Sequence, residues 1–408
     1  MPATEPVHVG LKRRLTLPLL IFYGLGTIVG AGIYVLVGAV AGRAGLYAPL
    51  AFLVSALIAG LTAHSYAKLS ARFPKSAGEA VYVSHAFGNP LLATMTGLAV
   101  IVTGVVSAAT IANGFAGYLD VFVESPTWLV ILLFIIILGG VAIWGILESV
   151  MLATIITILS IVGLLIVVYL SGDALLSVGD NWHNLLPPLE LGAWTGITFG
   201  AFLAFYAFIG FEDMVNVAEE VREPQRTLPL AIYSALILAA LLYVLIALVA
   251  ILTLDLETLA TSEAPLVDVV AAAGNPNASR LIAIFSLLSV TNSALAQIIM
   301  ASRILYGMSR DGALPEWFAS VSQRTNTPVR ATLFTGVVVL LFALALPLVT
   351  LAEITSFIII LVFSLVNASY FRLQLNRESG RRIAITPLVA IVLCLFLLFV
   401  QSYVRLSA

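Results

Sequence analysis

The sequence predicts an all-α polytopic membrane protein with eleven transmembrane helices, the first and sixth of them discontinuous. Three observations predict it. The 408 residues are 61% hydrophobic and 10% charged, against roughly 25% charged in soluble domains. Predominantly apolar windows of bilayer-spanning length, roughly 18 residues or more, recur along the whole chain. Two of these windows are interrupted at their centres. Gly26, Gly30 and Gly32 break the first, and Gly210, followed by Glu212 and Asp213, breaks the other.

Taken in order, the spans are expected at 15–42, 48–70, 90–119, 127–145, 148–171, 194–219, 228–254, 279–308, 330–349, 352–373 and 383–404. Span 1 follows Lys12-Arg13-Arg14, but its apolar run from Leu15 to Val40 far exceeds a signal-peptide core, so it reads as a retained helix. Its three glycines weaken the helix by about 1 kcal/mol each relative to alanine. Lipid cannot satisfy the backbone groups that such a break frees, so the break belongs against a cavity or a binding site. Spans 2 to 5 are uninterrupted apolar runs. The connection from Ser171 to Ala193 carries Asp173, Asp180 and Glu190, which suits a loop in water. Span 6 contains the second break, around Phe205–Asp213. Between spans 7 and 8, Asp255 to Asp268 is another acidic loop. After span 8, Asp311 to Gln323 holds Trp317 and Phe318 and is expected to form a short interfacial helix.

The eleven-span count makes a test of charge. It places sixteen of the 19 Lys and Arg residues on the N-terminal side of the membrane and leaves Arg43, Arg280 and Arg405 on the other. Under the positive-inside rule the N-terminus is therefore cytoplasmic. An odd number of spans also separates the two interrupted helices, so the halves they open run in opposite senses. Two interrupted helices in inverted halves point to a secondary-transporter site near the membrane midplane. The divisions are a cytoplasmic tail at 1–14, a first five-helix repeat at 15–171, an outer loop at 172–193, a second repeat at 194–375, and an additional helix with a short C-terminus at 376–408.

Four runs carry a resemblance. They are Gly30-Ala31-Gly32-Ile33-Tyr34; Phe73-Pro74-Lys75-Ser76-Ala77-Gly78-Glu79-Ala80-Val81-Tyr82; Phe208-Ile209-Gly210-Phe211-Glu212, continuing through Ala218-Glu219-Glu220 to Arg226; and Ser309-Arg310-Asp311-Gly312-Ala313-Leu314-Pro315. Each is weak alone, but together and in order they resemble the amino acid–polyamine–organocation superfamily of permeases, especially bacterial relatives of the cationic amino acid transporters. The resemblance implies a leucine-transporter-type five-plus-five inverted repeat that moves amino acids across the plasma membrane by alternating access. A twelfth span, frequent in that superfamily, is absent from this reading.

An amino acid presents a carboxylate and an ammonium group. The amides of Gly30, Ala31, Gly32 and Ile33 open the second half of span 1, where the helix dipole favours a carboxylate. Carbonyls near Ile28 in span 1 and near Tyr206, Phe208 and Ile209 in span 6 suit the ammonium. Tyr206 and Phe208 are expected as an aromatic wall, the resemblance favouring them over Phe211. Ser107, Thr110 and Asn113 share one face of span 3 and either line the cavity or bond back to their own helix. The bland alternative for the glycines is close helix packing.

For coupling, Glu212 is the sharpest residue, because an acid inside a membrane span is costly and usually functional. It reads equally as a helix-start acid that stabilises the second half of span 6. The resemblance favours it over Asp213. Glu148 and the Glu219, Glu220 and Glu223 group are expected to pair with Arg72, Arg222 or Arg226 at an inner gate. Some proton-coupled relatives carry a lysine in span 5; this chain has none, and a gapless register puts Ser160 there. With Ser289, Thr291, Asn292 and Ser293 of span 8 and carbonyls near Thr27 and Gly30, Ser160 makes the alternative hard-cation site, unless these hydroxyls simply hydrogen-bond within the bundle. A proton is favoured over sodium, and no cofactor or resident metal is implied.

Four scattered histidines, one cysteine and no nucleophile motif argue against an enzyme. The near-neutral net charge of −2 gives no sign of nucleic acid, and membrane lipid and an amino acid are the expected partners, with no obligatory protein partner. Transport of a polyamine or another organic cation, sodium-coupled or exchange transport, and a transporter-like sensor are the alternatives.

Overall fold

A computed structural model of the protein describes residues 13, 15–74, 78–144, 150–177, 182–376 and 384–407. Glu148, Lys75, Ser76 and Ala77, Asp180 and most of the N-terminal tail lie outside the described residues. Among those residues every membrane element is helical.

Span 1 is two helices, α1 (Leu17–Ile28) and α2 (Ala31–Ala44), separated at Val29 and Gly30. The rest of the first half is α3 (Ala48–Arg72), a short α4 (Gly78–Phe87), α5 (Pro90–Asp120), α6 (Thr127–Trp144) and α7 (Val150–Leu170). Span 6 begins as α8 (Leu191–Ala204), tightens into a 3-10 turn at Phe205–Phe208, and resumes as a 3-10 stretch at Glu212–Glu220. The second half continues through α9 (Pro224–Thr253), the short α10 (Leu256–Thr261) and α11 (Pro265–Ala272), α12 (Pro276–Arg310), α13 (Val329–Ala345) and α14 (Leu348–Leu375). The last helix is α15 (Thr386–Ser407).

Local chemistry sets these ends. Proline stands in the first turn of α1, α3, α5, α9, α11 and α12, where its missing N–H costs nothing. Asn89 caps α5 by accepting from the amides of Leu91 (3.0 Å) and Leu92 (3.3 Å). The outer loop between spans 7 and 8 is more ordered than its composition suggests, because Asp255 caps α10 through the Thr258 amide at 2.9 Å. The interfacial helix expected at Asp311–Gln323 is reduced to one 3-10 turn, Glu316–Ala319. Pro315 before it and the left-handed Gly312 leave too little continuous chain for a longer helix.

Nine of the described helical segments are long and apolar enough to cross a membrane, and α1 and α13 are shorter apolar helices. The surface agrees with that reading. Leu57, Ile136, Ile137, Val392 and Phe399 are exposed, and a protein with so apolar an exterior is solvated by lipid rather than water.

Packing follows an exchange of halves. Helix α1 lies on α9 and α8 lies on α3; α7 lies on α12 and α14 lies on α5; α1 meets α7 and α8 meets α14. Exchanging spans 1–5 with spans 6–10 converts each contact into its partner. α15 falls outside this scheme and rests on α14 and α3. At the centre, where the exchange maps span 1 on span 6, the two breaks come together.

Candidate functional site

The first break is held open by donors from two other helices. Val29 still donates its amide to Leu25, but its carbonyl accepts from Ser289 Oγ of α12 at 3.1 Å. The Ile28 carbonyl accepts the Gly30 amide (2.9 Å) and the Tyr243 hydroxyl of α9 (2.7 Å). Unwinding is therefore paid for locally by side-chain hydroxyls, as a dry interior demands. A side chain at Gly30 would run into Ser293 Oγ, and one at Gly26 into Thr157 Oγ1 of α7.

The second break is tighter. Ile209 is extended, and Gly210 has φ +124°, a conformation that L side chains rarely adopt. A Cβ there would also lie 2.5 Å from the Thr27 carbonyl carbon. Thr27 Oγ1 donates to the Gly210 carbonyl at 2.8 Å, and Gly32 sits directly on the Ala207 backbone. The glycines thus set the approach of one broken helix to the other. Beside them the Phe208 and Ile209 carbonyls have no backbone donor among the described residues.

Of the residues expected in the site, most converge. Ala31, Gly32 and Ile33 form the first turn of α2, whose amides lack a partner within the helix. Tyr206 and Phe208 are buried beside them. The Tyr206 hydroxyl pairs with Ser107 Oγ at 2.9 Å, which brings span 3 to the break, and the Phe208 ring packs on Tyr243 with centroids 5.2 Å apart. Thr110 bonds back to Val106, and Asn113 donates to the Ala343 carbonyl of α13. The Ile28 carbonyl expected to receive an ammonium already holds two donors.

The acids behave differently from one another. Glu212 is 4% exposed, and its Oε2 accepts the Gly210 amide at 2.8 Å, so it braces the second break as a helix-start acid would. Asp213 is 6% exposed and faces Gln297 Nε2 of α12 at 3.5 Å. At the rim bearing the N-terminus, Arg72 lies over the Phe73 ring and Arg222 donates to the Arg13 carbonyl. Among the described residues, neither of these two arginines forms a gate ion pair of the expected kind. The N-terminal chain is instead joined to the end of span 6 by a backbone bridge, Leu15 N to Glu220 O at 3.0 Å and Arg222 N to Leu15 O at 2.9 Å.

Around the first break, two of the expected span 8 hydroxyls approach span 1. Ser289 and Ser293, one turn apart, face it. Thr291 bonds back to Leu287, and Ser160 bonds back to Ile156. Thr157, about one turn before Ser160, is the α7 hydroxyl against span 1. Thr157 also bonds back, to Ala153, and the Ser160 carbonyl accepts the Tyr34 hydroxyl of span 1.

Sequence reasoning also passed over Glu79, Thr157, Tyr243 and Gln297. Glu79 had a signal, an acid inside one of the four runs. Tyr243 had none, since nothing local marks a tyrosine in an apolar span as a donor to a distant carbonyl.

Comparison with known proteins gives the following. The family model described as amino acid permease matches residues 15–405. The chain is 29% identical to the mitochondrial cationic amino acid transporter 3 of Arabidopsis thaliana over 90% of this chain and 63% of that protein. It is 26% identical to the branched-chain amino acid permease BcaP of Bacillus subtilis, over 97% of this chain and 90% of that one. It is also 26% identical to the methylthioribose transporter of Bacillus subtilis, over 95% and 88%. The chain spans less than two thirds of the length of the plant relative.

Proposed function

Since the chain belongs to the amino acid permease family of the amino acid–polyamine–organocation superfamily, we propose that it is a secondary transporter carrying amino acids across the cell membrane by alternating access. The observation that carries this reading is the meeting of the two breaks. Amides at the start of α2 without a partner in their helix, and carbonyls at Phe208 and Ile209 without a backbone donor among the described residues, offer within one buried region complements to a carboxylate and an ammonium. Ser107 and Tyr206 supply the adjoining wall. The N-terminus is cytoplasmic on the charge asymmetry of the loops, and residues 15–171 and 194–375 are the two inverted repeats that rock about the site.

The transported amino acid is accompanied by a proton. Support comes from the burial of Glu212 and Asp213 at the second break, where among the described residues neither forms an ion pair. A buried acid without a cation is stable only when it can hold a proton. A sodium-coupled reading is favoured by a separate observation, the convergence of Ser289, Ser293 and Thr157 hydroxyls on the first break.

The test is uptake into proteoliposomes, with each of the labelled proteinogenic amino acids, under imposed proton or sodium gradients. Proton coupling predicts accumulation driven by an inward pH gradient without sodium, lost in Glu212→Gln while exchange of internal for external substrate persists. Strict sodium dependence, lost in Ser293→Ala, reverses the assignment. No uptake of any amino acid overturns the substrate class.

A further inference from the structure

One buried acid has no part in that reading. Glu79, in α4, is 2% exposed although it lies outside the membrane spans. Among the described residues it forms no ion pair. Its Oε1 accepts from the Tyr66 hydroxyl of α3 at 3.2 Å. The Tyr66 ring stands edge-on to Phe211 with centroids 5.4 Å apart, and Phe211 directly precedes Glu212. Glu79 and Glu212 both bear electrostatically on that hydroxyl. On the other side, the buried Tyr82 hydroxyl, one turn along α4 from Glu79, has no hydrogen-bond partner among the described residues.

We propose that Glu79 hands the coupled proton to the cytoplasm, taking it from the Glu212–Asp213 pair by way of the Tyr66 hydroxyl. The transfer balances without any other reactant. Glu212 Oε2 rests on the Gly210 amide in this structure; once its carboxyl turns to Tyr66 Oη it releases a proton there as the Tyr66 O–H gives its own to the Glu79 carboxylate. Glu212 is left ionised, Tyr66 unchanged and Glu79 protonated; Glu79 then loses the proton to water. Tyr82 offers a second hydroxyl for the ionised form of Glu79.

The surroundings permit this exchange. Tyr66 of α3 donates to Glu79, and Glu79 acts electrostatically on Tyr82 of its own helix and on Glu212 and Asp213 of span 6. Helices α5 and α14 also pack on α4. The nearest cation they bring is Arg372 of α14, which lies over Phe87 at the far end of α4. Burial lifts the Glu79 carboxyl to about 7, partly offset by its hydrogen bonds, so it gains and loses a proton near neutral pH.

The inference rests on the proton-coupled reading above, and one experiment separates their failures. Purified protein is reconstituted with a pH-sensitive dye inside the vesicles, and proton entry is followed on adding the amino acid selected in the uptake panel. Exchange of internal for external substrate, which moves no net proton, is measured in parallel. Glu79→Gln is expected to keep exchange within about twofold, lose substrate-driven proton entry by about tenfold or more, and flatten the dependence of net uptake on internal pH near 7. Tyr66→Phe, which keeps the ring contacts, is expected to slow proton entry in the same sense. Unaltered proton entry and pH profile in Glu79→Gln, with a coupled wild type, overturn the role of Glu79 alone. Loss of exchange as well as proton entry in both variants assigns a structural role and overturns it too. A wild type that moves substrate without protons overturns both readings.

Discussion

Thr27 Oγ1 donates to the Gly210 carbonyl at 2.8 Å, a bond between residues 183 positions apart. It bolts the end of the first half-helix of span 1 to the break in span 6. The same hydroxyl lies 2.9 Å from the Gly24 carbonyl, so it has an alternative within its own helix. That choice makes Thr27 a point where the two broken helices can engage or release each other.

Replacing Thr27 with valine keeps the shape and removes the bond. The Gly210 carbonyl retains the Asp213 amide at 3.1 Å, so it is not left wholly unpaired. The expected loss is therefore about 1 kcal/mol, at the ordinary net value of a hydrogen bond rather than that of a stranded polar group. Thermal unfolding of the detergent-solubilised protein should show a small drop, while substrate affinity changes more than stability does. An unchanged affinity would mean that the bond does not bias the site.

Gly32 demands more than a small side chain can respect. A Cβ there meets the Ala207 backbone, which cannot rotate away as a side chain would. Gly32→Ala, the smallest substitution available, is expected to reduce substrate binding by at least about tenfold, since pushing the half-helices apart costs on the order of 1–3 kcal/mol. Gly139→Ala, where a Cβ meets nothing within 4 Å, is the control. Equilibrium binding to the two purified variants measures the difference.

Stability should depend on pH through Glu79. Its folded value of about 7 stands above the ordinary 4.5. Between those values the folded state keeps a proton that the unfolded chain has released, so stability falls as pH rises through that window. The total loss is at most about 3 kcal/mol and is complete above pH 7. Glu79→Gln lacks this term, and its melting temperature should gain on that of the wild type from pH 5 to pH 8. A constant difference across that range would show that Glu79 does not hold its proton in the folded state.

The spans and the two breaks were legible in the sequence because lipid imposes a one-dimensional rule. A bilayer asks for some twenty apolar residues in a row and penalises unpaired backbone, so run length and misplaced glycines mark helices and interruptions without any knowledge of neighbours. The alternation of basic loops follows from the same one-dimensional logic. Gly30, Gly32 and Gly210 mark the breaks in this way, by type and by position along a helix, whereas Tyr206 is picked out by the family resemblance.

What tertiary structure alone decided is which groups answer one another across the bundle. Tyr243 reaches the Ile28 carbonyl over 215 positions, and Ser289 reaches Val29 over 260. Span 1 meets the Thr157 hydroxyl but the Ser160 carbonyl, because the rotation of α7 about its own axis sets which group each turn presents and no local pattern records that rotation. Glu79 became buried only when α4 folded back onto α5 and α14; along the chain it is one acid in a short polar connection. Hydrophobic length is a property of a segment, whereas a hydrogen bond between segments depends on the placement of both, and that placement exists only after the helices have packed.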